Sequence, residues 1–241
     1  MKTFNKQEGL LSLLDEDFNK GHTRFHRWHI DAPLYARDPA WFTTLRCFKR
    51  PMEPELTIHR DDGSGQTMQT EPGLTAFISN VQAYDLMSEE ERKIADHSWV
   101  EYAPHPYQWM GDCKSKSHGL GLVNRSKEKT TEQLSPYDKK DVKRYPMVWV
   151  NPTTRVDEEP RVVEDVAEIR EWLAKIQEQV LKPEYVMLPK VVEGDIVMWT
   201  NYQMFHTAVD YPSHYGARTM HQANIGASSG PIGPVPIPVS S

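Results

Sequence analysis

The clearest pattern of apolar and polar positions in this chain lies over residues 163–180. Apolar side chains recur there at intervals of three and four, at Val166, Ile169, Leu173, Ile176 and Val180. Side chains at that spacing share one side of an α-helix. The pattern therefore predicts an amphipathic helix over 163–180 that packs one face against a core.

Elsewhere the apolar positions form short blocks that are rich in aromatic and β-branched residues and bounded by proline or glycine, as in β-strands. Residues 28–48 predict two short strands joined by a turn, and residues 193–209 and 217–227 predict two further strands. Residues 74–87 begin like a strand and continue at helical spacing. Ser88 then stands where it would cap a further helix.

The polar stretches predict exposed connections. Residues 53–73 are polar, contain glycine and proline, and predict a long exposed loop, whereas residues 114–144 mix nine Lys or Arg with acids and predict a solvated insertion. Residues 229–241 are spaced by proline and predict an extended tail. Many short strands with few helices indicate a mainly β fold, a sandwich or jelly roll. We expect one domain over 1–241, in which residues 1–23 are an N-terminal lead-in.

Composition and charge narrow the classes of function. The 241 residues carry a formal net charge of −6, so we expect no binding to nucleic acid or to an anionic membrane. Seven Trp, ten Tyr and seven Phe argue for a folded chain. The two cysteines, Cys47 and Cys113, allow no disulfide framework and no cysteine-based zinc site, which favours a cytoplasmic location.

One short motif carries candidate metal chemistry. The segment RWHIDAP contains His29 and Asp31, and two side chains separated by one residue on a strand point to the same side. With ten histidines and fifteen aspartates, however, roughly 0.6 His-x-Asp matches are expected by chance. A second match, at His59 and Asp61, lies in the polar HRDDGSG segment, where a metal would be hard to preorganise. We set this second match aside.

The first match gains weight from two residues far along the chain. A non-haem Fe(II) site takes two histidines and one carboxylate and leaves the other positions open. His206 ends the apolar segment GDIVMWTNYQMFH, 175 residues after Asp31, and is the candidate third ligand. Arg218 follows twelve residues later, and its guanidinium suits the far carboxylate of a dicarboxylic co-substrate. This order of residues is far more specific than any part of it.

At this point the sequence resembles the TauD/TfdA family of Fe(II)- and 2-oxoglutarate-dependent dioxygenases. WHIDAPLY is similar to the family's His-x-Asp strand, and GDIVMWTNYQMFHTAV with ARTMHQANI is similar to the strands that carry its distal histidine and arginine. GLTAFISNVQAYDLMSEEER is similar to the block between them, and the resemblance covers residues 24–228. Within the family, RWHIDAPLY, YAPHPYQWM, YPMVWVNP and MHQANIGASSGPIGP are most similar to the fungal branch that contains xanthine dioxygenase.

The resemblance implies a double-stranded β-helix (jelly-roll) enzyme that binds Fe(II) through His29, Asp31 and His206, which are also its catalytic residues. It further implies that 2-oxoglutarate binds the iron and pairs with Arg218, and that Thr75 donates a hydrogen bond to it. The co-substrate would react with O2 to give succinate and CO2 while a small-molecule substrate is hydroxylated. Whether the chain forms a homo-oligomer stays open.

One departure from the family bears on the substrate. Sulfonate-oxidising members carry a second arginine where this chain has Gln222, so we expect a neutral, amide-like or heterocyclic substrate. Xanthine, converted to urate, and a compound of fungal secondary metabolism are both candidates. Gln222 and Asn224 alternate to the same face of a strand and are candidate substrate contacts.

A second departure leaves alternatives open. Family members usually carry a longer segment before the His-x-Asp strand, whereas Met1 stands 28 residues before His29, so we expect a shortened form. One alternative is therefore a truncated, catalytically impaired member that acts as a binding or regulatory module. Another is a metal-free β-sandwich interaction protein, which predicts no stoichiometric Fe(II) binding.

Overall fold

The computed structural model describes residues 20–31, 38–102, 108–149, 163 and 165–235. The strands in this part are β1 His22–Thr23, β2 Ala40–Lys49, β3 Leu56–His59, β4 Thr67–Thr70, β5 Thr75–Ser79, β6 Trp99–Tyr102, β7 Lys143–Pro146, β8 Ile196–Thr200, β9 Met204–Ala208 and β10 Thr219–Gly226. The helices are α1 Asn80–Leu86, α2 Glu89–Asp96 and α3 Val166–Val180. A mainly β fold with few helices is thus confirmed.

The strands form four small sheets. Their orders are β10-β2-β8, β1-β3-β4, β5-β9 and β6-β7, and all pairs are antiparallel except the parallel pair β1 and β3. Within the described residues the sheets do not close into a barrel. Pairs between strands far apart in the chain, such as β5 with β9, bring the candidate site residues together.

The two faces of the β10-β2-β8 sheet differ in exposure. On the inner face Thr43 and Cys47 of β2 are buried. The outer face carries Ile196, Met198 and Ile225, whose exposed fractions are 60%, 63% and 53%. An apolar face of this kind is typical of surfaces that pack against protein.

The main core lies behind the inner face of this sheet. It is formed by buried residues of β2, β3 and β5 and of the segments that flank the strands. They are Phe25, Cys47, Ile58, Leu74, Ala76, Val191 and Val209. Burying seven such side chains removes much apolar area from water, which stabilises the long-range strand pairs. The core thus holds the strands that carry the site.

Each of the three described helices begins at a side-chain cap, and Ser88 is the cap that the sequence predicted. Ser88 and Glu91 form a reciprocal capping box at the start of α2. Asp165 caps α3, which therefore begins at Val166, three residues later than the predicted helix over 163–180. Ile176 of α3 is buried, whereas Val166 is 55% exposed, so the predicted apolar stripe packs mainly through its C-terminal half. Among the described residues no helix combines the length and apolar character that crossing a bilayer needs.

One prediction of local structure was wrong. Residues 53–73 are not one loop but contain β3 and β4, because Leu56 and Ile58 alternate into the core and β3 also pairs with β1. In the described part of residues 28–48, β2 is a single ten-residue strand and His29 lies in an isolated bridge. Residues 114–142 form a long connection of turns, one β-bridge and short 3₁₀ segments, but Ser115 and His118 within it are buried, and residues 143 and 144 already belong to β7.

Parts of four predicted segments lie outside the described residues. They are residues 1–19 of the lead-in, residues 32–37 of the segment 28–48, residue 164 of the helix predicted over 163–180, and residues 236–241 of the tail. The described part of the tail packs back on β7. A Cβ placed on Gly233 would lie 2.4 Å from Pro146 Cβ, so only glycine allows this approach.

Glu91 provides a pH-dependent test of how α2 is held. It forms an ion pair of 2.8 Å with Lys175 of α3 and accepts a hydrogen bond of 2.9 Å from the Ser88 backbone N–H. These partners hold the pKa of Glu91 at about 2. Since the unfolded value is about 4.3, the stabilisation is present above that pH and is lost as pH falls towards the folded pKa.

We expect Glu91→Gln to lower the free energy of unfolding by about 1 kcal/mol at neutral pH, because glutamine keeps the cap but loses the charge. The difference from wild type should shrink at about pH 3. Urea unfolding at both pH values measures it, and Glu90→Gln, an exposed change on the same helix, is the control. The same difference at both pH values would contradict this account.

Candidate metal centre

Backbone pairing brings the His-x-Asp segment and the distal histidine together. His29 and His206 form an antiparallel bridge in which each backbone N–H donates to the other's carbonyl, at 3.0 and 2.9 Å. Side chains in direct register point to the same side, and the two imidazole centroids are 4.3 Å apart. Asp31, two residues after His29, points to that side as well.

The three side chains form one cluster. Their ligand atoms lie within 4.8 Å of one another, and no other group of His, Cys, Asp or Glu in the described residues has this spacing. His206 Nε2 lies 3.5 Å from Asp31 Oδ1. His29 Nδ1 lies 2.8 Å from the Arg27 carbonyl oxygen, and donating there leaves Nε2 as the lone pair for a metal. The structure therefore brings together all three predicted ligands.

The surroundings favour the protonation states that bind metals. Burial and the adjacent His206 lower the pKa of His29, which favours the neutral imidazole. Burial raises the pKa of Asp31, but His206 and the nearby Thr43 and Gln222 side chains outweigh it, so this pKa lies below its ordinary value. Neutral imidazole and ionised carboxylate are the forms that ligate a divalent cation.

Two atoms of the cluster lack partners of the kind that a bound cation would provide. Asp31 Oδ2 and His206 Nδ1 are buried and have no hydrogen-bond partner among the described residues. Buried polar atoms without a partner are unfavourable and rare in folded proteins. Two histidines and one carboxylate are also the donor set that non-haem Fe(II) sites use. The residues present therefore fit an Fe(II) ion.

Asn201 supports this cluster, although the sequence pattern did not predict it. It is fully buried in the turn between β8 and β9. Its Oδ1 accepts from the Asp31 backbone N–H at 2.6 Å, and its Nδ2 donates to the carbonyls of Asp31 and Ala40 at 2.5 and 2.9 Å. A polar amide in a tight turn is a common local signal. That signal does not show that Asn201 binds Asp31, which lies 170 residues earlier in the chain.

Arg218 and Thr75, the predicted co-substrate residues, contact each other. Arg218 Nη2 donates to Thr75 Oγ1 at 3.0 Å, and Nε donates to the Gly73 carbonyl at 2.7 Å. Burial lowers the pKa of Arg218, yet a guanidinium stays cationic at neutral pH. No carboxylate among the described residues forms an ion pair with it.

The strand register relates this pair to the metal cluster. Thr75 pairs with Ala208, and Phe77 pairs with His206, so Thr75 and His206 share one face of the β5–β9 pair. They lie two residues apart along the strands, which is about 7 Å. A small cavity borders Thr75 and is otherwise mostly apolar, lined by Leu45, Cys47, Phe77, Pro189, Val191, Val197 and Met220. A short dicarboxylate has the right length to bind a metal ion at the cluster with one end and the Arg218 guanidinium with the other.

Gly73 is a second residue that the sequence pattern did not predict. Its φ is +67°, and a Cβ at this position would lie 3.2 Å from Arg218 Cδ and 3.3 Å from Tyr211 Cε1. Glycine accepts both the left-handed backbone and the close approach. It therefore lets the chain pass directly over the arginine side chain.

Gln222 and Asn224 lie on the inner face of β10. They pair with Leu45 and Thr43 of β2, and Gln222 Nε2 donates to Asn224 Oδ1 at 3.2 Å. Gln222 is also among the groups that lower the pKa of Asp31, which places it beside the metal cluster. Both side chains are exposed, so their remaining amide donors and acceptors are accessible.

Sequence comparison identifies the family. Residues 3–224 match the family described as "Taurine catabolism dioxygenase TauD, TfdA family". The alpha-ketoglutarate-dependent dioxygenase bsc9 of Alternaria brassicicola is 36% identical over 247 residues, covering 93% of this chain and 62% of that protein. The alpha-ketoglutarate-dependent xanthine dioxygenase xan-1 of Neurospora crassa is 39% identical over 230 residues, covering 88% and 55%. The corresponding xanA of Emericella nidulans is 36% identical over 232 residues, covering 90% and 62%.

The chain thus spans between 55% and 62% of the length of these curated relatives. Solved structures show the same fold. AAD-2 in complex with Mn(II) and N-oxalylglycine matches with a TM-score of 0.54 at 20% identity, covering 90% of this chain and 73% of that one. A taurine dioxygenase from Burkholderia xenovorans matches with a TM-score of 0.50 at 18% identity, covering 86% and 59%. The match over residues 3–224 shows that the chain belongs to the taurine catabolism dioxygenase TauD, TfdA family.

Proposed function

We propose that this chain is an Fe(II)- and 2-oxoglutarate-dependent dioxygenase that hydroxylates a small neutral or heterocyclic substrate and releases succinate and CO2. The observation that carries the proposal is a two-histidine, one-carboxylate cluster joined through one strand pair to a half-buried arginine: His206 lies on β9, and Arg218 donates to Thr75 of its partner β5. That arginine, Arg218, has no carboxylate partner among the described residues. Burying a positive charge is unfavourable unless an anion pairs with it, and the far carboxylate of 2-oxoglutarate would be that anion.

In this proposal each group of residues has one task. His29, Asp31 and His206 would hold Fe(II) and leave positions open for the co-substrate and O2. Arg218 and Thr75 would bind the far carboxylate of 2-oxoglutarate, and the apolar cavity beside Thr75 would keep water from it. The bound iron would supply the activation of O2 that couples decarboxylation of the co-substrate to hydroxylation of the substrate.

We further propose a planar heterocyclic substrate, with the conversion of xanthine to urate as the first candidate. Gln222 and Asn224 carry amide donors and acceptors without charge, which suits hydrogen bonding to a ring of lactam groups. The relatives xan-1 and xanA are described as xanthine dioxygenases. Since bsc9 is described only as an alpha-ketoglutarate-dependent dioxygenase, a compound of fungal secondary metabolism is the second candidate substrate.

A binding or regulatory module that holds metal without turnover is the second candidate function. The exposure of Gln222 and Asn224, the candidate substrate contacts, favours it, because turnover needs a substrate pocket that excludes water. The two candidates make different predictions for succinate formation.

We also propose that the sheets belong to a double-stranded β-helix within one domain over 1–241. The fold of AAD-2 supports this proposal.

Cys47 and Cys113 are both free and buried, which supports a reducing compartment such as the cytoplasm.

The first experiment measures succinate. With Fe(II), 2-oxoglutarate and O2 we expect succinate, and we expect xanthine to raise its rate of formation. His29→Ala should lower turnover by about 100-fold or more, because it removes one of three ligands. His221→Ala, on the outer face of β10, is the matched control and should leave turnover unchanged. Fe(II) binding without succinate, with or without xanthine, would contradict the enzyme and favour the binding module.

A second experiment tests the anion site. We expect Arg218→Lys to raise the KM for 2-oxoglutarate by about 10- to 100-fold, because a lysine keeps the charge but loses the planar pair of donors. The affinity for Mn(II), used as a metal probe, should not change. Arg46→Lys, on the exposed face of the same sheet, is the control. An unchanged KM would show that Arg218 does not bind the co-substrate.

A third experiment tests the substrate contacts. Gln222→Leu keeps the side-chain size but removes the amide, so kcat/KM for xanthine should fall by about 10- to 100-fold. Succinate formation without xanthine should persist, because the metal and anion sites are intact. Urate formation measured by its absorbance reports the first quantity, and Gln66→Leu in an exposed loop is the control. Equal losses in both reactions would contradict a contact specific to the substrate.

A further inference from the structure

The second His-x-Asp match lies outside the metal cluster, yet its aspartate has specific partners. Asp61 Oδ1 lies 2.5 Å from His118 Nδ1, and Oδ2 accepts from the Ser117 backbone N–H at 2.9 Å. The Ser117 hydroxyl also donates to the His59 carbonyl. His118 is only 3% exposed. Asp61 therefore fixes two consecutive residues of a distant part of the chain.

Those two residues lie at the tip of a hairpin, residues 114–123, that we call the clamp loop. Ser115 and Leu122 form a β-bridge within it, and the Val123 N–H donates to the Lys114 carbonyl at 2.9 Å. These bonds make the loop a defined unit, so a contact that holds its tip also sets the position of its carbonyl groups.

The clamp loop packs along the segment that leads to the candidate ligand His29. The Phe25 N–H donates to the Ser117 carbonyl at 2.8 Å, and Trp28 Nε1 donates to the His118 carbonyl at 2.9 Å. The Ser115 hydroxyl donates to the His26 carbonyl. Asp61 therefore holds His118, and the carbonyl of the same residue accepts the hydrogen bond from the Trp28 indole N–H.

Gly119 shows how close this packing is. A Cβ at Gly119 would lie 2.9 Å from Phe25 Cβ and 2.9 Å from Trp28 Cδ1. Its φ of +81° also favours glycine. The loop backbone therefore rests directly on the Trp28 ring, and a shift of the loop would have to move that ring.

Trp28 and His29 are neighbours, so their side chains point to opposite sides of the segment. On one side the segment pairs with β9 through His29 and His206, and on the other it meets the clamp loop. We propose that Asp61 is a positioning residue for the metal centre: through His118 it holds the clamp loop against Trp28 and so fixes His29. This role rests on the proposed metal site, and Asp61 itself contacts no candidate ligand.

The test is Asp61→Asn, measured by Mn(II) titration followed by electron paramagnetic resonance and by succinate formation at increasing Fe(II). We expect metal affinity to fall about tenfold, as for other groups that orient ligands, while the KM for 2-oxoglutarate stays within about twofold. Saturating Fe(II) should restore most of the turnover. A general loss of stability would instead affect both binding sites, and circular dichroism checks that each variant is folded.

The chain offers a matched control in the next residue. Asp62 pairs with Arg60 and Ser64 inside its own loop, so Asp62→Asn removes a carboxylate from the same segment without touching the clamp loop. Its metal affinity should equal that of wild type. Trp28→Phe removes the indole N–H but keeps an aromatic ring, and we expect a similar loss of metal affinity.

The double variant Asp61→Asn with Trp28→Phe decides whether the two residues act together. Residues on one path should show a combined loss close to that of either single variant, whereas independent effects would add. Additive losses, or wild-type metal affinity in Asp61→Asn, would overturn the positioning role and leave the proposed function intact. A wild-type chain that binds no metal would instead contradict the proposed function.

Discussion

The reciprocal backbone hydrogen bonds between His29 and His206 are the interaction on which the candidate site depends. They join residues 177 positions apart, so the entropy of closing a long segment opposes them. Neighbouring bonds support the same register: the His26 N–H donates to the Ala208 carbonyl, and the Arg27 N–H donates to the Thr207 hydroxyl. A slip of one residue would turn an imidazole to the other face. The relative positions of the candidate ligands therefore depend on the register of this pairing.

The same register links the two halves of the proposed chemistry. β9 carries His206, and its partner β5 carries Thr75, which accepts from Arg218. The proposed anion site and the metal cluster therefore share one strand pair, through Thr75 on β5 and His206 on β9. Strands are more rigid supports than loops, which suits a site whose reactants must meet at a fixed distance. Asn201, in the turn that joins β8 to β9, extends this support to Asp31.

The sequence predicted which residues form the cluster better than it predicted the residues that support them. His29, Asp31, His206 and Arg218 could be identified in the sequence because these residue types, in this order and at this spacing, rarely occur together by chance. The roles of Asn201, Gly73 and Asp61 depend on partners between 56 and 170 residues away, which no local pattern identifies. The loop predicted over 53–73 failed for a related reason. Its apolar alternation is only two residues, Leu56 and Ile58, and pairing with β1 and β4 makes it a strand.

The cluster also has a consequence for the stability of the fold. Asp31 Oδ2 and His206 Nδ1 are buried without partners in the described part of the chain, which destabilises the unliganded state. A cation bound to the folded chain but not to the unfolded one shifts the folding equilibrium towards the folded chain. Its two histidine ligands belong to the two segments that the His29–His206 bridge joins, so the cation would stabilise this pairing against the entropy of closing the long segment between them. Metal binding and strand register are thus coupled: each stabilises the geometry that the other requires.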